Sequence, residues 1–393
     1  MRSNQKAIPR NILDSELCSS IEERVAWFHH MQETQPVRSH PEHNLWEVFR
    51  YKDVQQVLRD HATFSVAESM PEDFPSVLGK SDPPEHRQLR RLVSQAFTPR
   101  RIEELTPRLI KIVDEMLECA IPRGKMNVAT ELAYPLPVRV ISEMLGLPSE
   151  DRARFRHWAD QLIGQLMGTG NPTNNEVIQY FSDLLNERKR APRDDLISAL
   201  LAAEENGVHL TREQIIFMCV ELMLAGHFTT SLLLRAVLLR LCLHPEIYQT
   251  LRATPSLIPP VIEETLRYDF SFINLWRTAR HDTVLGGQQI KAGQYVVAWT
   301  AAANFDETYF PHSAQFDIRR SPNPHLTFGH GIHACLGSFL ARLEGRIALE
   351  RILIHFSEIH LNPKQSIPFL DQISSNHLPF LSILFTPVNP SVS

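Results

Sequence analysis

The chain has 393 residues, of which 43% are hydrophobic and 22% are charged. This is the composition of a folded globular protein, so it excludes a disordered chain and a collagen-like repeat. The 40 basic and 45 acidic side chains give a formal net charge of -5. Because the sequence contains no Lys/Arg block, its charge gives no reason to expect nucleic acid as a partner.

Cysteine usage and hydropathy indicate the compartment. The five cysteines are odd in number and far apart, which does not fit a disulfide framework and indicates a reducing cytoplasm. The first ten residues contain no apolar run that could serve as a signal or anchor. The most apolar stretch, residues 215–243, is interrupted by charged side chains, so we expect no membrane span and a cytoplasmic monomer.

Helical periodicity dominates from about residue 20 to residue 268. A short strand-like stretch lies at 46–51. Alternation of β-branched and aromatic residues returns at 284–300, where Gly286-Gly287 is typical of a hairpin turn. We therefore predict one domain over residues 1–393, mainly α with a small β component. Its helices are expected mostly in 80–268 and 336–356, and its sheets in 45–51 and 274–300.

The longest helix can be bounded from the sequence. Thr211 and Gln214 have the spacing of a capping box, and His244-Pro245 supplies a stop. At 1.5 Å per residue such a helix is about 50 Å long, enough to cross a whole domain. Both faces are largely apolar around residues 218–224, so we expect its middle to be buried.

The middle of this helix contains residues that are unfavourable for helix stability, Ala225-Gly226-His227-Phe228-Thr229-Thr230. Gly costs up to about 1 kcal/mol in a helix, and Thr is also unfavourable. Two interpretations remain open from the residues alone. Gly226 could permit the close packing of a neighbouring helix, or the segment could form a groove that admits a ligand and directs a hydroxyl at it.

Cys335 precedes a predicted amphipathic helix, in which Leu336, Leu340, Leu343 and Ile347 fall at helical spacing. The unpaired N–H groups at the start of a helix make this position electropositive. We therefore expect the pKa of the Cys335 thiol to be lowered, which favours the thiolate that ligates metals or attacks electrophiles.

Three interpretations of Cys335 compete. It could be a buried core cysteine, as we expect for the other four cysteines. It could bind zinc with His325, His330 and His333, although structural zinc sites usually contain more than one sulfur. It could instead be an axial thiolate for haem iron, which needs one sulfur, nearby N–H donors and glycines, and an apolar shell that includes Phe328.

The segment Phe328-Gly329-His330-Gly331-Ile332-His333-Ala334-Cys335-Leu336-Gly337 resembles the haem-binding loop of the cytochrome P-450 family, F-G-x-G-x-H-x-C-x-G. Resemblance elsewhere covers nearly the whole chain. It implies the mainly helical haem-thiolate fold of that family, with the long central helix over a buried haem b. Cys335 would then be the metal ligand, and Phe328 and Gly337 would belong to the cofactor site.

Two further groups of residues match the family. Glu264-Thr-Leu-Arg267 resembles its E-x-x-R pair, whose i, i+3 spacing puts both side chains on one helix face. Residues 316–320 resemble the segment whose arginine joins that pair, which suggests Arg320 as the third member. The resemblance also implies four cofactor-binding residues at the haem propionates, namely His86, Arg90, Arg277 and His333.

The implied reaction is monooxygenation, with Ala225, Gly226 and Thr229 on the oxygen side of the central helix. The chain departs from the family at Phe228, where an acid usually precedes the threonine, so we expect protons to arrive through other waters or through a polar group of the substrate. This departure keeps open a peroxide-driven peroxygenase. A non-catalytic haem-binding or sensing protein would share the cysteine loop as well. A second departure is Phe305, where relatives usually carry Arg.

The substrate pocket can be outlined by position, and its candidate wall residues are Phe74, Leu78, Leu222, Phe272, Asn274, Leu275 and Phe380. Most are apolar, so we expect a hydrophobic small molecule, such as a secondary metabolite, that Asn274 could orient. Electrons are expected from a separate ferredoxin or flavodoxin type donor. Four arginines near Cys335 would steer an acidic donor, namely Arg87, Arg91, Arg342 and Arg346.

Overall fold

The computed structural model describes residues 20–67, 77–166, 175–269, 274–364 and 381–388. The helices in these residues are α1 (Ile21–Thr34), α2 (Tyr51–Arg59), α3 (Glu85–Ala96), α4 (Pro99–Glu103), α5 (Thr106–Ala120), α6 (Pro135–Met144), α7 (Arg152–Leu166), α8 (Asn175–Arg190), α9 (Leu196–Ala202), α10 (Arg212–Leu243), α11 (Pro245–Ala253), α12 (Ile258–Tyr268), α13 (Thr300–Ala303) and α14 (Ser338–His355). The strands are β1 (Val37–His40), β2 (Leu45–Val48), β3 (Phe64–Ser65), β4 (Lys125–Asn127), β5 (Glu204–Glu205), β6 (Val208–His209), β7 (Leu275–Ala279), β8 (Thr283–Leu285), β9 (Gln288–Ile290), β10 (Tyr295–Ala298), β11 (Phe356–Leu361) and β12 (Ser382–Pro387).

The expected mainly α fold with a small β component is confirmed. The largest sheet has the strand order β1-β2-β10-β7-β3, in which β10 pairs parallel to β2 and antiparallel to β7. The predicted hairpin is β8-β9, and Gly286 and Gly287 at its turn have φ values of 55° and 81°. Two positive φ values in succession are what the favoured two-residue hairpin turn requires, and glycine adopts them without steric cost.

The central helix α10 has the predicted bounds. The Thr211 side chain accepts from the N–H of Gln214 at 3.2 Å, and the Gln214 side chain accepts from the N–H of Thr211 at 2.8 Å. These two bonds satisfy donors that the first helical turn leaves without partners. The helix ends at the cap residue His244, directly before Pro245. It packs against α6, α8, α12 and α14, so its middle is buried as expected.

By length and composition α10 could also cross a membrane, contrary to the expectation from its charged residues. However, 67% of its most apolar 18-residue window is buried inside the protein. That burial is typical of the core helix of a globular domain, whose apolar side chains contact protein on most sides.

Three hydrophobic clusters make up the core. The largest joins α10 to the surrounding helices and reaches β11 and β12. The second fills the space between α2 and the five-stranded sheet, and the third packs α1 against the same sheet. Two clusters therefore attach α1 and α2 to the sheet. The cysteine segment 326–337 contacts the second and the largest cluster, because Leu326 belongs to the second and Phe328 and Leu336 pack against the largest.

Several elements differ from the sequence predictions. The strand predicted at 46–51 ends at Val48, and Tyr51 begins α2. The Asp306 side chain accepts from the N–H of Tyr51 at 2.8 Å, so a residue distant in sequence caps this helix. Strands β1, β3, β4, β5, β6, β11 and β12 were not predicted. Of the four cysteines expected in the core, Cys219 is buried, Cys242 is half-buried and Cys119 is exposed, while Cys18 lies outside the described residues.

Candidate functional site

The loop before α14 is built around two backbone contacts. The N–H of Cys335 donates to the Phe328 carbonyl at 2.8 Å, which closes the loop on itself. Gly331 has a φ of 77°, and a Cβ at this residue would lie 2.9 Å from the Leu58 carbonyl oxygen. Glycine is therefore needed at 331 both for its backbone conformation and because the loop packs on the backbone at the end of α2.

Cys335 lies two residues before Gly337, which caps α14. Its sulfur accepts hydrogen bonds from the N–H groups of Gly337 and Ser338, and Arg90 and Arg342 add positive potential. Burial nevertheless raises the pKa of the thiol, so the expectation of a lowered pKa is wrong. Loss of hydration outweighs the N–H groups and both arginines. A coordinated metal cation reverses this balance, because it deprotonates a thiol outright.

The Cys335 side chain is accessible, although the surrounding protein is dense enough for burial to dominate its pKa. Among the residues that the structure describes, no three His, Cys, Asp or Glu side chains are placed to share a metal ion. His325 instead contacts Glu263 at 3.1 Å, so the zinc interpretation finds no support.

Two imidazoles face each other beside the cysteine loop. The ring centroids of His86 and His333 are 4.2 Å apart, and the Nε2 atom of each ring is buried without a hydrogen-bond partner. Burial lowers the pKa of both rings, that of His333 to about 3, where Arg277 and His86 contribute as further causes. The structure therefore holds two buried imidazoles, each with one Nε2 atom that makes no hydrogen bond.

Two arginines complete this cluster, of which Arg90 is half-buried and Arg277 is buried. Arg90 donates to the Ala334 carbonyl at 2.8 Å, directly before Cys335. Arg277 is 5% exposed and donates to the Trp276 carbonyl at 2.8 Å. Burial lowers the pKa of Arg277 to about 10 and lowers that of Arg90 as well. Anions stabilise guanidinium groups that have lost part of their hydration, so this cluster suits a ligand with carboxylates.

Sequence reasoning missed Asp82, which also lies in this cluster. Its carboxylate is 2.5 Å from the Ser65 hydroxyl, 2.6 Å from Arg280 and 3.7 Å from Nε2 of His333. Burial by itself would raise the pKa of Asp82, but the Ser65 hydrogen bond and the Arg280 charge outweigh it and lower that pKa. The only sequence signal was its position four residues before the predicted cofactor-binding residue His86.

The predicted residues of α10 separate onto two sides of the helix. Gly226 faces α6, because a Cβ there would lie 2.7 Å from Cδ1 of Ile141. Ala225 is exposed, and the Thr229 hydroxyl donates to its carbonyl at 2.9 Å. Close packing on α6 therefore accounts for Gly226, which supports the first of the two interpretations of this segment. Ala225 and Thr229 share the open face, as residues four apart on a helix do.

Phe228 and His227 bring no acid to this face. Phe228 is half-buried and packs against the main hydrophobic cluster. His227 is fully buried, and its Nδ1 lies 2.6 Å from the Met223 carbonyl. Burial lowers the pKa of His227, so its ring is uncharged at neutral pH. The alcohol of Thr229 therefore has no adjacent charged side chain on the helix.

Glu264, Arg267 and Arg320 meet in one buried group. Arg267 binds both carboxylate oxygens of Glu264, at 2.9 and 2.7 Å, and Arg320 lies 3.3 Å from that carboxylate. Asn323, which the sequence did not indicate, donates to the same carboxylate at 3.1 Å. Phe305 packs 5.3 Å from the Arg267 guanidinium and stacks edge-on with Tyr268. The phenylalanine thus belongs to an aromatic cluster beside this group.

The predicted pocket residues have different surroundings. Leu222 and Leu275 are half-buried, and Asn274 accepts from the Trp276 indole at 3.0 Å. Leu78 is buried in the main hydrophobic cluster. Three of the predicted wall residues lie outside the described residues, namely Phe74, Phe272 and Phe380.

Most of the arginines expected to attract an acidic donor have carboxylate partners. Arg342 binds Glu263 through two nitrogens at 2.6 and 2.8 Å, Arg91 binds Glu205 at 2.8 Å, and Arg346 binds Glu103 at 2.7 Å. Phe339, in the first turn of α14, is 55% exposed. This face therefore has less free positive charge than the sequence suggested, and an exposed aromatic ring in addition.

Comparison with known proteins gives a consistent result. The family described as Cytochrome P450 matches residues 138–254 and 256–383. Cyclomarin C epoxidase CymV of Salinispora arenicola (strain CNS-205) is 39% identical over 352 residues, which cover 85% of this chain and 89% of the relative. Erythromycin C-12 hydroxylase of Saccharopolyspora erythraea is 37% identical over 377 residues, covering 91% and 94%. The ligand-free structure of Cytochrome P450 TbtJ1 superposes with a TM-score of 0.86 at 38% identity and covers 94% of this chain and 98% of its own.

Proposed function

Since this chain belongs to the cytochrome P450 family and is a monooxygenase, we propose that it transfers one oxygen atom from O2 to a hydrophobic secondary metabolite. The reaction is hydroxylation of a C–H bond or epoxidation of a C=C bond. The observation that carries the proposal is the position of the Cys335 sulfur, which accepts from two backbone N–H groups and lies beside two arginines and two imidazoles whose buried Nε2 atoms make no hydrogen bond.

The cofactor in this proposal is haem b with Cys335 as the thiolate ligand. When bound, the haem-thiolate iron supplies the activation of dioxygen. The residues of the site fit this group. Arg90, Arg277, His86 and His333 would bind its two propionates, which explains why the Nε2 atoms of both histidines are buried without partners. Phe328 and the glycines of the loop would lie against the porphyrin.

A test of the site uses the purified protein. Reduction followed by carbon monoxide should give the absorption band of a haem thiolate, and Cys335→Ser should abolish that band while Cys119→Ser leaves it unchanged. Cys119 is an exposed cysteine far along the chain from the loop, so it controls for the loss of a thiol. A colourless protein, or a spectrum typical of nitrogen ligation, contradicts the proposal.

On the oxygen side, Thr229 holds water next to the reacting oxygen through its hydroxyl, which is already oriented by the Ala225 carbonyl. The position that usually carries an acid holds Phe228, so protons reach this face through water or through a polar group of the substrate. We predict that Phe228→Asp changes the product formed per electron consumed by less than about twofold, a small part of the 10²–10⁴-fold that a positioned acid or base can contribute.

The matched control is Phe217→Asp, which places the same new carboxylate at an exposed position of the same helix. A large gain with Phe228→Asp alone contradicts the proposed proton supply. Comparing turnover with an electron donor against turnover with hydrogen peroxide also separates the classes. Turnover with hydrogen peroxide but not with the electron donor favours a peroxygenase. If neither the electron donor nor hydrogen peroxide is consumed, the result favours a binding or sensing protein.

The substrate proposal rests on the apolar side chains of Leu78, Leu222 and Leu275 and on the relatives, which are named for cyclomarin C and erythromycin. Electrons come from a ferredoxin or flavodoxin type donor that docks on the face near Cys335. Because three arginines on this face are already paired with carboxylates, contact of the donor with the exposed Phe339 ring contributes to docking together with the remaining positive charge. We further propose that residues 1–393 form one domain and act as a cytoplasmic monomer.

A further inference from the structure

Glu221 is an acidic residue of α10 that the proposed reaction does not use. Its Oε2 accepts from the N–H groups of Val77 at 2.8 Å and Leu78 at 3.1 Å, and its Oε1 accepts from the N–H of Gly79 at 3.0 Å. Three successive N–H groups that converge on one carboxylate form an anion-binding concavity. The anion here is a side chain 142 to 144 residues farther along the same chain.

The position of Glu221 on the helix connects this contact to the reactive side. Residues four apart share one face of a helix and are separated by about 6 Å along its axis. Glu221, Ala225 and Thr229 therefore form one row. Ala225 is exposed on this face. Glu221 thus holds the 77–79 turn on the same face of α10 as Ala225 and Thr229, one helical turn before Ala225.

The 77–79 turn is itself connected to the cofactor side. Leu78 is buried in the main hydrophobic cluster, and the chain continues into α3, which carries His86 and Arg90. The charges of Cys335 and Glu221 both act to raise the pKa of Arg90, against the larger lowering by burial. The Glu221 carboxylate therefore connects the central helix α10 to the 77–79 turn, a candidate wall of the pocket, and through this turn to α3.

We propose that Glu221 is a positioning residue that fixes the 77–79 turn as a wall of the substrate pocket and thereby sets how long bulky substrates remain bound. The inference rests on the proposed function of the site. Without the carboxylate, three partly buried backbone N–H groups lose this acceptor, and unsatisfied donors favour a rearrangement of the turn. Gln at 221 offers one oxygen and a donor group in place of the second, so it can satisfy part of the turn.

The test compares Glu221→Ala and Glu221→Gln with Glu213→Ala in the haem-loaded protein. Glu213 is an exposed glutamate in the first turn of the same helix, so its removal changes the charge equally. Imidazole and clotrimazole serve as a small and a bulky iron-binding probe, followed by the absorption change and by stopped-flow dissociation. Hydrogen exchange of the amides of residues 77–79 reports directly on the turn.

We expect Glu221→Ala to speed clotrimazole dissociation about tenfold, as for the loss of one or more hydrogen bonds to a charged group, and to change imidazole binding by less than about twofold. Exchange at 77–79 should accelerate, with Glu221→Gln intermediate and Glu213→Ala unchanged. Equal effects on both probes, or wild-type kinetics in Glu221→Ala, overturn the inference. If the wild-type protein shows neither a haem-thiolate band with carbon monoxide nor an absorption change with imidazole, the proposed function itself fails.

Discussion

Glu344 gives a prediction about stability that can be worked out in detail. The residue lies on α14, its side chain is fully buried, and neither carboxylate oxygen has a hydrogen-bond partner. Burial raises the pKa of this carboxyl well above 4.5. A carboxylate without a partner is costly inside a protein, so the group keeps its proton in the folded state at pH values where the unfolded chain has released it. The variant Glu344→Gln replaces the protonated acid with a neutral group of nearly the same shape.

The sign follows from proton linkage. Between pH 4.5 and the raised pKa, the folded state binds one more proton than the unfolded state, so the free energy of unfolding falls as pH rises. The slope approaches about 1.4 kcal/mol per pH unit. The glutamine variant has no proton to lose and therefore lacks this slope. From pH 5.5 to pH 6.5 it should therefore gain stability relative to the wild type, by up to about 1.4 kcal/mol.

Urea unfolding of the haem-loaded proteins at these two pH values measures the difference. Other groups titrate equally in both proteins and cancel in the comparison. Glu350→Gln controls for the removal of a carboxylate from the same helix, because Glu350 is partly exposed and lies 3.6 Å from Arg346. If the stability of Glu344→Gln relative to the wild type is the same at both pH values, the carboxyl is already ionised in the folded protein and the reasoning is wrong.

Two further predictions concern packing and buried charge. Arg267→Met leaves the Glu264 carboxylate without its bidentate partner, so it should cost about 3–5 kcal/mol of unfolding free energy. The double variant Glu264→Leu with Arg267→Met should cost less than the sum of the two single changes. Additive costs in urea unfolding would contradict this coupling. Gly226→Ala should lower the free energy of unfolding by about 1–3 kcal/mol despite the better helix propensity of alanine, because the new Cβ would lie 2.7 Å from Cδ1 of Ile141. A double-mutant cycle with Ile141→Ala should show a smaller cost in that background.

The amino-acid sequence by itself determined the features that depend on local chemistry. Thr211 and Gln214 defined the start of the central helix, since a capping box satisfies backbone donors within one turn. Gly286 and Gly287 defined a hairpin for the same kind of reason. The cysteine loop was recognisable because its glycines and its thiol are needed within ten residues of each other. Such patterns act between near neighbours, so no knowledge of the chain path is required.

Only the tertiary structure decided how distant segments complete these features. Asn323 joins the buried Glu264 group, Asp306 caps α2, and Glu221 holds a turn far away in the sequence. The Cys335 thiol shows the same limit, because its position at a helix start suggested a lowered pKa and its burial produces a raised one. Desolvation and long-range pairing depend on which segments the fold brings together, and that information is spread over the whole chain rather than held in any single motif.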